Sequence, residues 1–153
     1  MRALELKLPP PAVALLVAVA MWFVARHRYS LDFTLMVRVG ALVAMALAGG
    51  AVALAGDLEF RRARTTINPF KPQNSTALVT SGIYRFTRNP MYVGLTLVVV
   101  GWAAFLGSAW GFLGPVVFVL YVDRFQIVPE ERVLSAKFGE AYANYTSRVR
   151  RWV

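Results

Sequence analysis

The 153-residue chain has no cysteine and a single histidine, His27. Disulfides, thiol nucleophiles and cysteine-bound metals are therefore excluded, and the redox compartment is left open. With one imidazole and one adjacent pair of carboxylates, Glu130 and Glu131, a catalytic metal held by protein ligands is not expected. Negative charge is scarce as well: 8 Asp and Glu stand against 17 Lys and Arg, for a net charge of +9. Charged residues make up only 16% of the chain while 58% is hydrophobic, so polar surface for a soluble globule is lacking.

What is present is apolar sequence in long blocks. Four blocks approach the roughly 20 residues that cross a bilayer core: about Leu8 to Ala25, Leu35 to Leu58, Met91 to Leu106 and Ser108 to Ile127. Pro9, Pro10 and Pro11 open the first, where a helix tolerates missing N–H groups. Ala18-Val19-Ala20 resembles a signal-peptide cleavage site, but the apolar run continues through Met21-Trp22-Phe23-Val24, so a retained helix is expected. In the second block Gly40, Ala44, Ala48, Ala51 and Ala55 form a small-residue stripe that predicts close helix packing in lipid. Gly94 and Gly101 share one face of the third. Only Gly107 and its neighbours separate the third and fourth, which predicts a tight hairpin.

Beyond Ile127, Pro129 opens a segment with Glu130 and Glu131 in its first turn, where the helix dipole favours carboxylates. Val133 or Leu134, Phe138, Ala141 or Tyr142, and Tyr145 recur at helical spacing and predict an amphipathic helix ending near Tyr145, lying against the cytoplasmic surface or folded over the bundle. Residues from Arg61 to Ser81, with Pro69 and Pro72, read as a loop. The fold expected is an all-α integral membrane protein of four transmembrane helices plus a C-terminal amphipathic cytoplasmic helix, one domain over residues 1–153, with two helices in 1–60 and the cofactor loop, hairpin and last helix in 61–153.

Positive charge suits nucleic acid or an anionic membrane face. The basic residues cluster beside the apolar blocks, so the lipid bilayer is the expected partner and nucleic acid is not. Placing both termini and the Arg61 to Arg88 segment on one side collects 14 of the 17 basic residues, against Arg26, Arg28 and Arg38. That side should be cytoplasmic, in an inner or cytoplasmic membrane.

Polar chemistry is confined to the same side. Asn89 reads as an N-cap with Pro90 at the first helical position, and the helix start with Arg85 and Arg88 reads as an anion site. Glu130 and Glu131 offer a complementary cation site, and the pair together suits a zwitterionic ligand bearing an amino-acid moiety. The same arginines equally suit lipid phosphates, and the same glutamates a helix dipole.

The stretch T-S-G-I-Y-R-F-T-R-N-P-M-Y-V-G, a helical hairpin, and then E-E-R-V-L-S-A-K-F-G-E-A-Y-A-N-Y resemble the isoprenylcysteine carboxyl methyltransferase family and its phospholipid methyltransferase relatives. The resemblance covers roughly Asn68 to Trp152. It implies S-adenosyl-L-methionine bound at the cytoplasmic face, without a Rossmann domain, and acceptors that arrive from the bilayer. Carried onto this chain, it implies cofactor contacts at Thr76, Ala77, Leu78, Val79, Tyr84, Asn89, Pro90, Met91, Tyr92 and Glu130, with Gly94 allowing close packing nearby. Arg88, Glu131 and, on the substrate side, Arg124 are the candidate catalytic groups. Asn89 replaces the family's histidine, which excludes an imidazole role. Gln126 replaces an arginine found in eukaryotic members, which puts a prenylcysteine carboxylate acceptor in doubt. Tyr84, Tyr92 and Tyr121 are candidates to face a sulfonium through cation–π attraction. The competing functions are an NADPH-dependent sterol-reductase-like enzyme and a non-enzymatic basic membrane adaptor. The acceptor, bearing a carboxyl, amino or thiol group, and the oligomeric state are not specified by the sequence.

Overall fold

The computed structural model describes residues 5–26, 31–65 and 76–153. His27, Arg28, Pro69 and Pro72 lie outside the described residues. The regular elements described are all helical: α1 (Pro10–Ala25), α2 (Leu35–Arg62), α3 (Pro90–Leu106), α4 (Leu113–Val122) and α5 (Val128–Thr146), with single 3₁₀ turns at Gly82–Arg85 and Ala109–Phe112. α2 has its most extensive packing along α3, while α1 packs on α3 and α4. The core between them is built from Val13, Met21, Tyr92, Val99, Ala103, Phe118, Val122 and Ile127.

Two helical runs are long and apolar enough to cross a membrane: α2, of 28 residues, and the 38-residue run Ala109–Thr146. α1 and α3, with 16 and 17 residues, measure about 25 Å at 1.5 Å per residue, short of the roughly 30 Å hydrocarbon core.

The expected separation between a fourth apolar helix and a surface helix is corrected. α4 runs into α5 through a π-helical segment, Asp123–Ile127. Pro129 accounts for it: Phe125 O has no N–H to receive from four residues on. That carbonyl instead accepts from Leu6 N at 3.1 Å, and Gln126 Nε2 donates to Leu8 O at 2.6 Å. The N-terminal segment is thereby stitched to the π turn. The apolar part of this run ends at Pro129, where Glu130, Glu131 and Arg132 follow in succession. α5 is also not one uninterrupted amphipathic helix, because Gly139 breaks it at φ 49°, ψ −121°.

The small-residue stripe read in the second block is not the side of α2 that packs on α3 within the chain. Gly40, Ala44, Ala48 and Ala51 lie on the exposed side of α2, and a Cβ on Gly40 would meet nothing within 4 Å. The face that meets α3 is carried by Leu42, Met45, Gly49, Ala53 and Gly56. Gly49 and Gly94 cross backbone to backbone, each blocking a side chain on the other, and a Cβ on Gly101 would come within 2.8 Å of Met45 Cβ. The shared face read for Gly94 and Gly101 is therefore the α2 contact.

At the opposite end, Gly107 caps α3 in the left-handed conformation, φ 63°. Arg38 Nε donates to Phe105 O at 2.6 Å there, a cation at the carbonyl end of the α3 dipole. Arg26 lies 3.6 Å over the Trp22 ring. Two of the basic residues that dissent from the charge asymmetry thus have local partners.

Candidate active site

Where α3 begins and α5 begins, a cleft of about 470 Å³ opens between them. Its floor and walls are mostly apolar and aromatic: Phe60 from α2, Ala77 to Val79 from the loop, Tyr84 from the 3₁₀ turn, Pro90, Met91 and Tyr92 from α3, and Leu134, Tyr142 and Tyr145 from α5. Arg88, Asn89, Glu130 and Glu131 supply its charged and amide groups. Side chains of Leu134, Tyr142 and Tyr145, from the periodic face read in the last helix, are turned onto the cleft, in keeping with a helix that folds over the bundle. The Gly139 kink separates Leu134 from the two tyrosines.

Local sequence explains how the walls stand. Gly82 adopts φ 55°, and any Cβ there would collide with the Glu59 side chain beneath it. Glu59, buried near the end of α2, accepts from Ser81 Oγ and pairs with Arg62 at 2.6 Å, which pins the 3₁₀ turn. Tyr84 then meets Phe60 edge to face at 5.4 Å. Tyr145 Oη donates to Tyr84 O at 2.7 Å, tying α5 to the same turn. Burial raises the Tyr84 hydroxyl above its ordinary pKa, so the ring faces the cleft as a neutral phenol.

Of the two adjacent glutamates, each has a different environment. Glu130 accepts from Tyr92 Oη at 2.7 Å and has no cationic partner among the described residues. Burial pushes its carboxyl up to about 7; the Tyr92 bond opposes that rise and the neighbouring Glu131 charge adds to it. Glu131 is neutralised. Arg151 grips it with Nε at 3.1 Å and Nη2 at 2.6 Å, and Arg88 approaches at 3.2 Å. Arg88 Nε is buried without a hydrogen-bond partner among the described residues. The cleft therefore presents an under-satisfied guanidinium and an unpaired carboxylate, joined by aromatic walls.

Most of the expected cofactor residues meet here. Ala77, Leu78, Val79, Tyr84, Asn89, Pro90, Met91, Tyr92 and Glu130 line the cleft, with Arg88 and Glu131. Thr76 does not; it is exposed, and its N–H donates to Thr65 Oγ1 at 2.8 Å. Arg85 is exposed outside the lining, and Arg124 pairs with Glu5 at 3.2 Å away from it. Tyr121 also stays out, its ring 4.8 Å from Phe125. Gln126, in the position of the family arginine, is fully buried as the anchor for Leu8.

Asn89 holds the cap position but not the cap bond. Its Nδ2 donates to Arg151 O at 2.9 Å, and its own N–H is taken by Thr87 Oγ1 at 3.1 Å. The C-terminal tail has claimed the side chain. Arg151, Phe60 and the Pro9 to Pro11 wall were missed in the sequence. The prolines read only as a helix start, and Arg151 as one charge in a basic tail.

The described residues form an all-helical membrane protein whose cleft carries groups of both charge signs between apolar and aromatic walls. The profile of the phospholipid methyltransferase family matches residues 36–141. The chain belongs to this family, and it is a membrane methyltransferase. An uncharacterized protein of Haemophilus influenzae is 41% identical over 63 residues, covering 41% of this chain and all of that protein. The protein-S-isoprenylcysteine O-methyltransferase of Schizosaccharomyces pombe is 36% identical over 75 residues, 47% of this chain and 30% of the yeast protein's length. No solved structure matches the chain.

Proposed function

We propose that the protein uses S-adenosyl-L-methionine to methylate a lipophilic acceptor at the cytoplasmic face of its membrane. The observation that carries this is the split charge of the cleft: Glu130 lacks a cation and Arg88 Nε lacks an acceptor, so an α-amino and an α-carboxylate group would satisfy both. Ala77 to Val79 and Met91 would hold the nucleoside part, and Tyr84, Tyr92 and Tyr142 offer ring faces to a sulfonium. Bound there, the cofactor supplies an electrophilic methyl group for in-line displacement, a reaction that gains from alignment and exclusion of water. The chain's own contribution is to orient both reactants between its aromatic walls.

A lipophilic acceptor is supported by a second groove, of about 730 Å³, lined by Leu15, Trp22, Leu42, Val98 and Trp102. It shares Pro11 and Leu95 with the cleft, so the two adjoin between α1 and α3. We take all four apolar helices to cross the membrane, with α1 and α3 at the short end, both termini and the cleft cytoplasmic, in an inner membrane. The acceptor carries a carboxyl, amino or thiol group.

Thermal unfolding in detergent tests the cofactor. S-adenosylhomocysteine should raise the midpoint, NADPH should not, and Glu130→Ala should abolish the effect. Stabilisation by NADPH alone would favour the reductase reading instead. Methyl-labelled cofactor with fractionated cell lipids then identifies the acceptor class.

A further inference from the structure

The tail that follows α5 returns to the cleft and ends as a clasp. Val149 is buried and Trp152 packs on the core. Arg88 N donates to Arg150 O at 3.1 Å, and Arg151 O accepts from Asn89 Nδ2 at 2.9 Å and Thr87 Oγ1 at 3.4 Å. These bonds use the tail's backbone carbonyls, so they do not depend on the Arg151 side chain. That side chain does something separate. Its Nε and Nη2 occupy both oxygens of Glu131, and its Nη1 reaches Asp123 at 3.1 and 3.3 Å, so one guanidinium neutralises carboxylates from the π turn and from α5. Those hydrogen bonds hold the Arg151 pKa above its ordinary value, so the clasp stays charged.

The consequence falls on Arg88. Its one carboxylate contact among the described residues is Glu131 Oε1, at 3.2 Å, an oxygen already engaged by Arg151, and it also meets the Tyr142 hydroxyl. Without Arg151, Glu131 would be a partly buried carboxylate whose nearest cation is Arg88, and a two-bond fork between them would form. Arg88 would then be withdrawn from any ligand. We propose that Arg151 is a positioning residue which limits Glu131 to a single contact with Arg88 and so keeps the rest of the Arg88 guanidinium available for the carboxylate of an amino-acid-bearing ligand. This rests on the cofactor reading above. It also gives Asn89 a part: its amide secures the backbone from which Arg151 reaches.

The test compares S-adenosylhomocysteine with its decarboxylated analogue, which keeps the amino group and lacks only the carboxylate. Dissociation constants are measured by calorimetry on the full chain in detergent. The wild type should prefer the carboxylate-bearing ligand by about tenfold or more, the scale of one charge-assisted contact. In Arg151→Gln that preference should fall to about onefold, with affinity for the analogue within about twofold of wild type. Binding of the analogue doubles as a check that the variant folds. Arg151→Lys, which keeps charge but not the fork, should lie between. Glu131→Gln combined with Arg151→Gln should recover the preference, because nothing then competes for Arg88. Equal loss of both ligands in Arg151→Gln, an unchanged preference, or no recovery in the double variant would each overturn the proposal. A wild type that binds both ligands equally would overturn it while leaving the methyltransferase cofactor in place. A wild type that binds neither would remove both.

Discussion

Glu130 and Glu131 are neighbours in sequence with the same chemistry, yet they do different things. Glu131 lies beside Arg151 and Arg88; Glu130 points to a tyrosine hydroxyl in an apolar cleft. Its pKa of about 7 makes its role testable by pH. The folded-state value lies above the ordinary 4.5, so protonated Glu130 favours the folded protein. That contribution is complete below about 4.5 and is lost as pH rises through about 7. Without ligand, the unfolding midpoint should therefore decline between pH 5 and 8, and Glu130→Gln should flatten the decline. Ligand binding should show the opposite trend, with affinity for S-adenosylhomocysteine falling below pH 7 in the wild type, since only the carboxylate holds an ammonium. A second residue-scale test concerns Asn89. Removing its amide in Asn89→Ala should cost about 1 kcal/mol in chemical denaturation and loosen the tail, seen as greater quenching of Trp152. The importance of Asn89 was legible in the motif, but its partner was not, because that partner lies 62 residues away along the chain.

Helices depend here on a few backbone positions. Gly139 has open space where a Cβ would go, so the reason for glycine is its φ of 49° with ψ −121°, a region hostile to other residues. Gly139→Ala should cost about 1 kcal/mol or more through backbone strain alone, and it should weaken ligand binding by moving Tyr142 and Tyr145. Gly94 has the reverse reason: its conformation is ordinary but Gly49 lies against it. Gly94→Val should separate α2 from α3 and destabilise by about 1 to 3 kcal/mol, read as a lower unfolding midpoint. Existence of the helices followed from apolar blocks and prolines. The contact face of α2 did not, because glycine and alanine recur on both sides of it and spacing alone cannot say which side meets α3. The π turn was equally hidden, since Pro129 also served as a reasonable helix start.

For the molecule as a whole, the lack of cysteine makes orientation directly measurable. Single variants Ala109→Cys, at the exposed turn after α3, and Ser147→Cys, at the end of α5, lie at opposite ends of the long α4 and α5 run. An impermeant thiol reagent applied to intact cells should label the first and not the second if the cleft faces the cytoplasm. Labelling of Ser147→Cys alone would reverse the orientation taken from the basic residues. The same asymmetry gives Arg38 a local explanation, as a cap on α3, so it need not count against the rule.

Membrane class, helical content and the two motif halves were determined by the sequence itself, because they follow from composition, apolar run length and short-range spacing. Only the tertiary structure decided which charged groups keep hydrogen-bonding capacity for a ligand. Glu130 and Arg88 stand out because the tail, the π turn and α5 converge on Glu131 and Asp123 and neutralise them through Arg151. Pairing of charges is a matter of distance in space, and residues brought together across the whole length of α5 carry no local sign of it.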